Sequence, residues 1–285
     1  MPHGVHESTR FQPASGSRWG RIDARAAFVE TLHPMRLKLI ACNVFMREAC
    51  HCIARSPHLI DPEFLELGEH VHPDILRGKL QVRLDAAGAM EKSYDAVLLL
   101  YGLCGNSSVG LRAVGVPLVL PRAHDCCTVL LGSRAQFREH FGDNPSMPFS
   151  SAGYIERGDY FLRTDEGGSR MHFGDGYAAL VEQYGEENAK YVWETMHPEH
   201  PEFGNRAVFI DLPETAHLGY RQQFEAKVRA EGKECVRLAG SLRIIENLLF
   251  GNWDPAEFLT VPPGQAIAGV YDWTEIVRSA PSPTP

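Results

Sequence analysis

The chain has no apolar run approaching the roughly 18 residues that a membrane-spanning helix needs. It has no Cys-x-x-Cys motif, and it has fewer basic than acidic residues: 28 Lys and Arg against 36 Asp and Glu, a formal charge of -8. Each shortage excludes something. With no span and no apolar signal-type stretch after Met1, the expectation is a cytoplasmic protein with no membrane contact. With no basic face or arginine-rich helix to neutralise phosphates, nucleic acid is not an expected partner. With the usual zinc-knuckle spacing missing, a metal site would have to be assembled from residues far apart in sequence.

What is present is enough apolar material for one substantial core: 44% hydrophobic and 22% charged residues in a chain of 285. One α/β domain is expected over residues 35–278. The Gly-, Ser-, Pro-, His- and Arg-rich residues 1–34 read as a weakly ordered extension, and Ser279-Ala-Pro-Ser-Pro-Thr-Pro285 as a disordered tail.

Between these ends, strand and helix patterns alternate. Leu37–Ala41 reads as a buried strand, with Cys42-Asn43 as its exit, and a helix follows from Val44 to about Arg55. An extended stretch, Glu63–Leu67, precedes a helix from Pro73 to about Ala87, in which Ile75, Leu76, Leu80 and Leu84 recur at helical spacing. Tyr94–Tyr101 is almost continuously apolar, as a central parallel strand must be. Val116–Leu120 forms the next strand, and a helix runs from Cys126 to about Phe141. Further strands are expected at Ala207–Asp211 and Glu234–Leu238, with helices at Tyr220–Glu231 and Ser241–Phe250. This alternation predicts a doubly wound, mostly parallel open sheet with helices on both faces. Residues 143–205, with a long acidic stretch from Tyr177 to Met196, read as an inserted lid.

The seven cysteines form an odd, uneven set, which argues for reduced thiols rather than a disulfide framework. Cys50, Cys52, Cys127 and Cys235 are expected to fill core. Cys42, Cys104 and Cys126 each follow a strand, and adjacent parallel strands bring their exits to one edge of the sheet. His124 and Cys126 are two residues apart, so in an extended exit they project to the same side. Cys42, Cys104, His124 and Cys126 are therefore the candidate metal ligands. The histidine favours zinc with a position left open, and three thiols alone would equally suit a [4Fe–4S] cluster. Metal-free thiol chemistry is the other reading, and buried structural cysteine is the plain one. Around these, His124, Asp125 and Glu48 are candidate acids or bases. Arg47, Arg122, Gly105, Asn106, Ser107, His72 and Glu156 are candidates for holding a small anionic metabolite. Tyr154 and Tyr160, with Glu156, stand in the insert, where they would close over a ligand.

Three resemblances carry expectations. The His124-Asp-Cys126 pair with a remote cysteine resembles the zinc site of corrinoid-linked methyltransferases, which are eight-stranded barrels that these strands do not build. Cys104-Gly-Asn-Ser107 resembles the strand-end Cys-Asn-Thr loop of cofactor-independent amino-acid racemases, in which two facing thiols exchange a proton. Tyr101-Gly-Leu-Cys-Gly-Asn106, Pro121-Arg-Ala-His-Asp-Cys126 and Leu130-Leu-Gly-Ser133 together resemble the domain-of-unknown-function family DUF1638, over about Met35 to Phe250. That last resemblance implies methyl-group or thiol chemistry beside a corrinoid methyltransferase system, with catalysis or metal carriage as the alternatives.

Overall fold

Leu37, Leu39, Ile40 and Ala41 are apolar in near succession because their strand is covered on both faces. In β1, Arg36–Cys42, all four are fully buried. The computed structural model describes residues 33–66, 73–89, 94–143, 147–158, 186, 206–270 and 272–281. In it β1 pairs in parallel with β2, Leu59–Leu65, on one side and with β3, Ala96–Leu100, on the other. β4, Leu118–Pro121, adds in parallel to β3, and β8, Phe258–Val261, closes the sheet antiparallel, giving the order β2-β1-β3-β4-β8. The expected α/β class with a mostly parallel sheet is what the chain forms.

The crossovers locate the point where the winding of the sheet reverses. β1 passes through a 3-10 turn, Asn43–Phe45, and helix α1, Met46–Ile53, to reach β2. β2 passes through α2, Pro73–Gly88, back across β1 to β3. Right-handed connections running in opposite directions put α1 and α2 on opposite faces. The direction of winding therefore reverses between β1 and β3, and in open α/β sheets ligands bind outside the strand ends at such a reversal. α2 turns Leu76, Leu80 and Leu84 to the sheet, all nearly fully buried, as their four-residue spacing requires.

Several boundaries differ from the sequence expectation. β2 begins at Leu59 rather than Glu63, because Asp61-Pro-Glu63 breaks the apolar pattern on a strand that lies at the sheet edge, where proline is tolerated. The single helix expected from Cys126 is two: α3, Cys126–Leu131, and α4, Arg134–Phe141, parted at Gly132 with φ 69°. The Ser133 hydroxyl then caps α4 by accepting from Gln136 N–H. All six residues of α3 are buried.

A second sheet was not foreseen. β5, Phe149–Ser150, β6, Arg206–Asp211, and β7, Glu234–Ala239, pair in parallel in the order β5-β6-β7, separate from the first sheet. Helix α6, Tyr220–Ala230, covers β6 and β7, and α7, Arg243–Leu249, packs on α1, β3 and β4. The buried α3 contacts both β6 and α7.

The last strands, β9, Gln265–Gly269, and β10, Val277–Pro281, form an antiparallel pair. This corrects the tail expected from Ser279: Ser279, Ala280 and Pro281 pair with Ile267, Ala266 and Gln265. Their Pro-Ser composition reads as disorder, but main-chain pairing overrides it.

The described part of the expected lid, β5 with helix α5, Ala152–Gly158, is built into the core, with Phe149 and Tyr154 buried. Glu186 apart, residues 159–205 lie outside the described residues. So do residues 1–32 and 282–285, and so do His72 and Tyr160.

Gly153 sets the seat of α5, since a Cβ there would stand 1.9 Å from the Val44 carbonyl oxygen. Gly153→Ala is expected to destabilise the fold by about 2–4 kcal/mol in urea unfolding. Gly78→Ala, with nothing within 4 Å of the new methyl on α2, should stabilise by about 0.5–1 kcal/mol.

Candidate functional site

Three strand exits meet at the winding reversal. Cys42 is the last residue of β1 and is fully buried. Beyond β3 the chain runs to Cys104, Gly105 and Asn106, whose φ angles of 45°, 62° and 69° make a left-handed turn. Cys104 pays steric strain there that a glycine would not. The turn is held from outside: Leu103 N–H donates to the Ala123 carbonyl at 2.8 Å and Cys104 N–H to the His124 carbonyl at 3.0 Å. From within, the buried Ser107 hydroxyl donates to the Cys104 carbonyl at 2.9 Å. Gly102 allows this approach, because a Cβ on it would come within 2.7 Å of Asp125 N and Cα. Beyond β4, Asp125 caps α3 by accepting from Thr128 N–H at 3.0 Å, and Cys126 opens that helix, nearly fully buried.

Tyr154 of α5 is buried in the same core as the three thiols. Burial, and then the charges that Cys126, Cys42, Asp125 and Cys104 would carry, hold the Tyr154 phenol well above its usual pKa. One side chain from the second sheet's first crossover thus lies within electrostatic reach of all three exits of the first sheet. Tyr154 heads a row of rings that continues through Phe149 at 5.4 Å, Phe141 at 6.3 Å and Phe137 at 5.4 Å.

The other end of that row is His124. Its ring stacks on Phe137 at 5.5 Å and meets Trp273 edge-on at 5.1 Å. Burial and then Arg134 lower its pKa, with Asp272 opposing, and Nε2 has no hydrogen-bond partner. The expected His124–Cys126 grip rested on an extended chain through both residues. Asp125 between them is extended, and α3 begins at Cys126. No three His, Cys, Asp or Glu side chains among the described residues stand ready to share one metal ion.

Other expected residues find different partners. Arg122 spends its guanidinium on the carbonyls of Pro255, Glu275 and Val277, tying the chain around β10 to the β4 exit rather than holding a substrate carboxylate. Arg47 and Glu156 pair with each other, Nε to Oε2 at 2.8 Å and a guanidinium nitrogen to Oε1 at 2.5 Å. The Asn106 carbonyl accepts from Arg77 at 2.9 Å. Cys50, expected in the core, is exposed on α1. The core expectation holds for Cys52, which burial pushes up to about 12, and for Cys127, pushed well above its usual value by burial. Cys235 is half-buried.

Glu48, near the start of α1, is 1% exposed, and neither carboxylate oxygen has a hydrogen-bond partner. Burial raises its pKa from 4.5 to about 7, Glu156 and Glu214 add to the rise, and its own backbone N–H and Arg47 oppose it. Four further groups with unpartnered buried atoms were not foreseen: Asn43 Oδ1, Ser150 Oγ, Ser151 Oγ and Glu214 Oε2. Asn43 had a signal, since it follows Cys42 in the first exit. Ser150 and Ser151 had none, because a two-residue strand leaves no period to read.

The fold is that of a doubly wound α/β protein with three buried thiols near its winding reversal. The chain belongs to the family described as Protein of unknown function (DUF1638), which it matches over residues 64–249. The matched span contains Cys104, Cys126 and Tyr154, while Cys42, Asn43 and Glu48 precede it. No curated protein and no solved structure matches the chain.

The raised Glu48 pKa has a defined sign in stability. Between about pH 4.5 and 7 the folded state keeps a proton that the unfolded state releases, so stability from this group falls as pH rises through that window and is level above it. Glu48→Gln should remove that slope and stabilise the fold by about 1–3 kcal/mol above pH 7, read by urea unfolding across pH.

Proposed function

We propose that this chain is an enzyme that uses a [4Fe–4S] cluster held by Cys42, Cys104 and Cys126 to act on a small metabolite by thiol or methyl-group chemistry. The observation that carries this is the placing of all three thiols, buried in one core, at or just beyond the exits of parallel strands that are neighbours in the sheet. By its chemistry the donor set suits the group, since three soft thiolates in an apolar shell match an iron–sulfur cluster with one iron left without a protein ligand, while binding would have to draw together three side chains that are not already grouped around one ion. Zinc is the alternative that His124 favours, and its ring packs on Phe137 and Trp273 with Nε2 unpartnered. When bound, the cluster would supply a Lewis-acidic iron at which a substrate oxygen or sulfur can bind.

The chain's own residues do the rest. Gly102 and the strained turn at Cys104 hold the β3 exit against the β4 exit. Tyr154 and its row of rings keep water from the thiols. Glu48, whose burial in α1 raises its pKa to about 7, would take or give the proton. The two arginines expected to hold a carboxylate are both engaged, so this reading keeps the small substrate without requiring an anion. The partner proposed for this chemistry is a corrinoid methyltransferase system, as the resemblance of the Cys104 and Cys126 loops implies.

Protein purified without oxygen should contain iron and sulfide with visible absorption, and Cys104→Ser should lose both while its unfolding free energy stays within about 1 kcal/mol of that of the metal-free parent. Zinc lost equally from Cys104→Ser and His124→Ala would restore the zinc site. Metal-free protein with a reactive Cys104 would point to proton exchange between facing thiols.

A further inference from the structure

Two periodicities bring charge together where α6 turns into β7. Glu225 and Arg229 are four residues apart on α6 and share a helix face, while Cys235 and Arg237 are two apart on β7 and share a strand face. Between them the chain reverses at Gly232, φ 71°. Gly232 N–H donates to the Arg229 carbonyl and Lys233 N–H to the Val228 carbonyl, both at 3.0 Å. This turn meets the last carbonyls of α6 with main-chain donors, so the cationic side chains beside it are not spent on them.

Glu225, Arg229, Lys233, Cys235 and Arg237 line one open hollow of about 220 Å³. Its apolar wall is Cys235, which packs on the buried cluster of Ala207, Phe209, Phe224 and Val228. The charges around it are unevenly met. Glu225 is neutralised by Arg221 at 2.8 Å. Arg237 gives one guanidinium nitrogen to the buried Asp211 at 2.8 Å, and Lys233 pairs with Glu231 at 2.8 Å, so each keeps further N–H groups. Arg229 has no ion-pair partner among the described residues. In a chain of formal charge -8, the hollow is thus a local excess of positive charge with donors to spare.

Donors that converge from a helix, a turn and a strand match an anion with oxygens on several sides. A carboxylate offers two coplanar oxygens and is satisfied by one guanidinium, whereas a phosphate monoester offers three oxygens and a second charge. The volume leaves space beside the phosphate for a small organic group, which Cys235 meets with an apolar surface. We infer that this hollow binds the phosphate monoester group of a small molecule, with Arg229, Lys233 and Arg237 as its donors. It lies away from the thiols, so the inference stands whatever Cys42, Cys104 and Cys126 carry.

The test is titration calorimetry of the full chain with methyl phosphate at pH 7.5 in a phosphate-free buffer, with the monoanionic dimethyl phosphate as comparison. Methyl phosphate should bind at one site, and dimethyl phosphate about tenfold more weakly. Arg229→Ala should weaken methyl phosphate binding by about tenfold or more. Glu225→Gln, which removes the negative charge from the lining, should strengthen it, a gain that damage to the fold would not produce. Bound methyl phosphate should also slow alkylation of Cys235 by iodoacetamide, read by peptide mass, and leave the exposed Cys50 of α1 unaffected. Cys104→Ser should bind as the parent does, which separates this inference from the cluster. No saturable binding, equal binding of the two esters, binding unchanged in Arg229→Ala, or Cys235 labelled at its usual rate in the presence of methyl phosphate would overturn it. Arg229-dependent retention on phosphatidic acid vesicles without binding of methyl phosphate would overturn the small-molecule source.

Discussion

Two backbone contacts that only glycine permits hold the candidate site together. At Gly102 the exit of β3 lies against Asp125, and at Gly153 helix α5 lies against Val44, each closer than any side chain allows. The first contact brings Cys104 beside the segment that carries Cys126. The second brings Tyr154 of α5 over the exit of β1, where Cys42 lies. Close-packed interiors transmit such constraints, because neighbouring elements have no free volume into which to relax. The three thiols, the ring row and the Glu48 region all take their positions from these two approaches.

The molecule keeps features at this edge that a fold selected for stability alone would discard. Cys104 sits in the left-handed region without being glycine. Glu48 is buried with neither carboxylate oxygen hydrogen-bonded. His124 keeps an unpartnered nitrogen among aromatic rings. Strain and unmet polar groups cost stability wherever they occur, and proteins tend to concentrate them where ligands bind. These residues lie beyond the carboxyl ends of the parallel strands, whereas the ion pairs Arg36–Asp61 and Lys38–Glu63 join β1 to β2 along the sheet. The open hollow lined by Glu225, Arg229, Lys233, Cys235 and Arg237, by contrast, lies where α6 turns into β7, at the amino end of that strand and away from the thiols.

Arg122 shows how a residue correctly placed in sequence acquires a different task. It follows β4 directly, where a substrate anion was expected. The closing strands bring three carbonyls to it first, and a guanidinium with five donors serves a carbonyl cluster as readily as a carboxylate. Arg47 and Glu156 repeat the lesson: both were expected at the ligand, 109 residues apart, and the fold makes them partners of each other.

The sequence by itself determined the strand and helix order of the first half, the α/β class, and the placing of Cys42, Cys104 and Cys126 at the exits of parallel strands. It did so because burial on both faces writes a continuous apolar run, and an exit loop is where that run stops. Only the tertiary structure decided that β6 and β7 join β5 in a separate sheet, since periodicity records burial and not the identity of the neighbour. It alone set the His124 ring against Phe137 and Trp273 and began a helix at Cys126, because spacing records neither the packing partner nor where an exit turns into a helix. The unpaired acceptors around Glu48 likewise exist only in three dimensions: a carboxylate is unmet only with respect to what the rest of the chain places beside it.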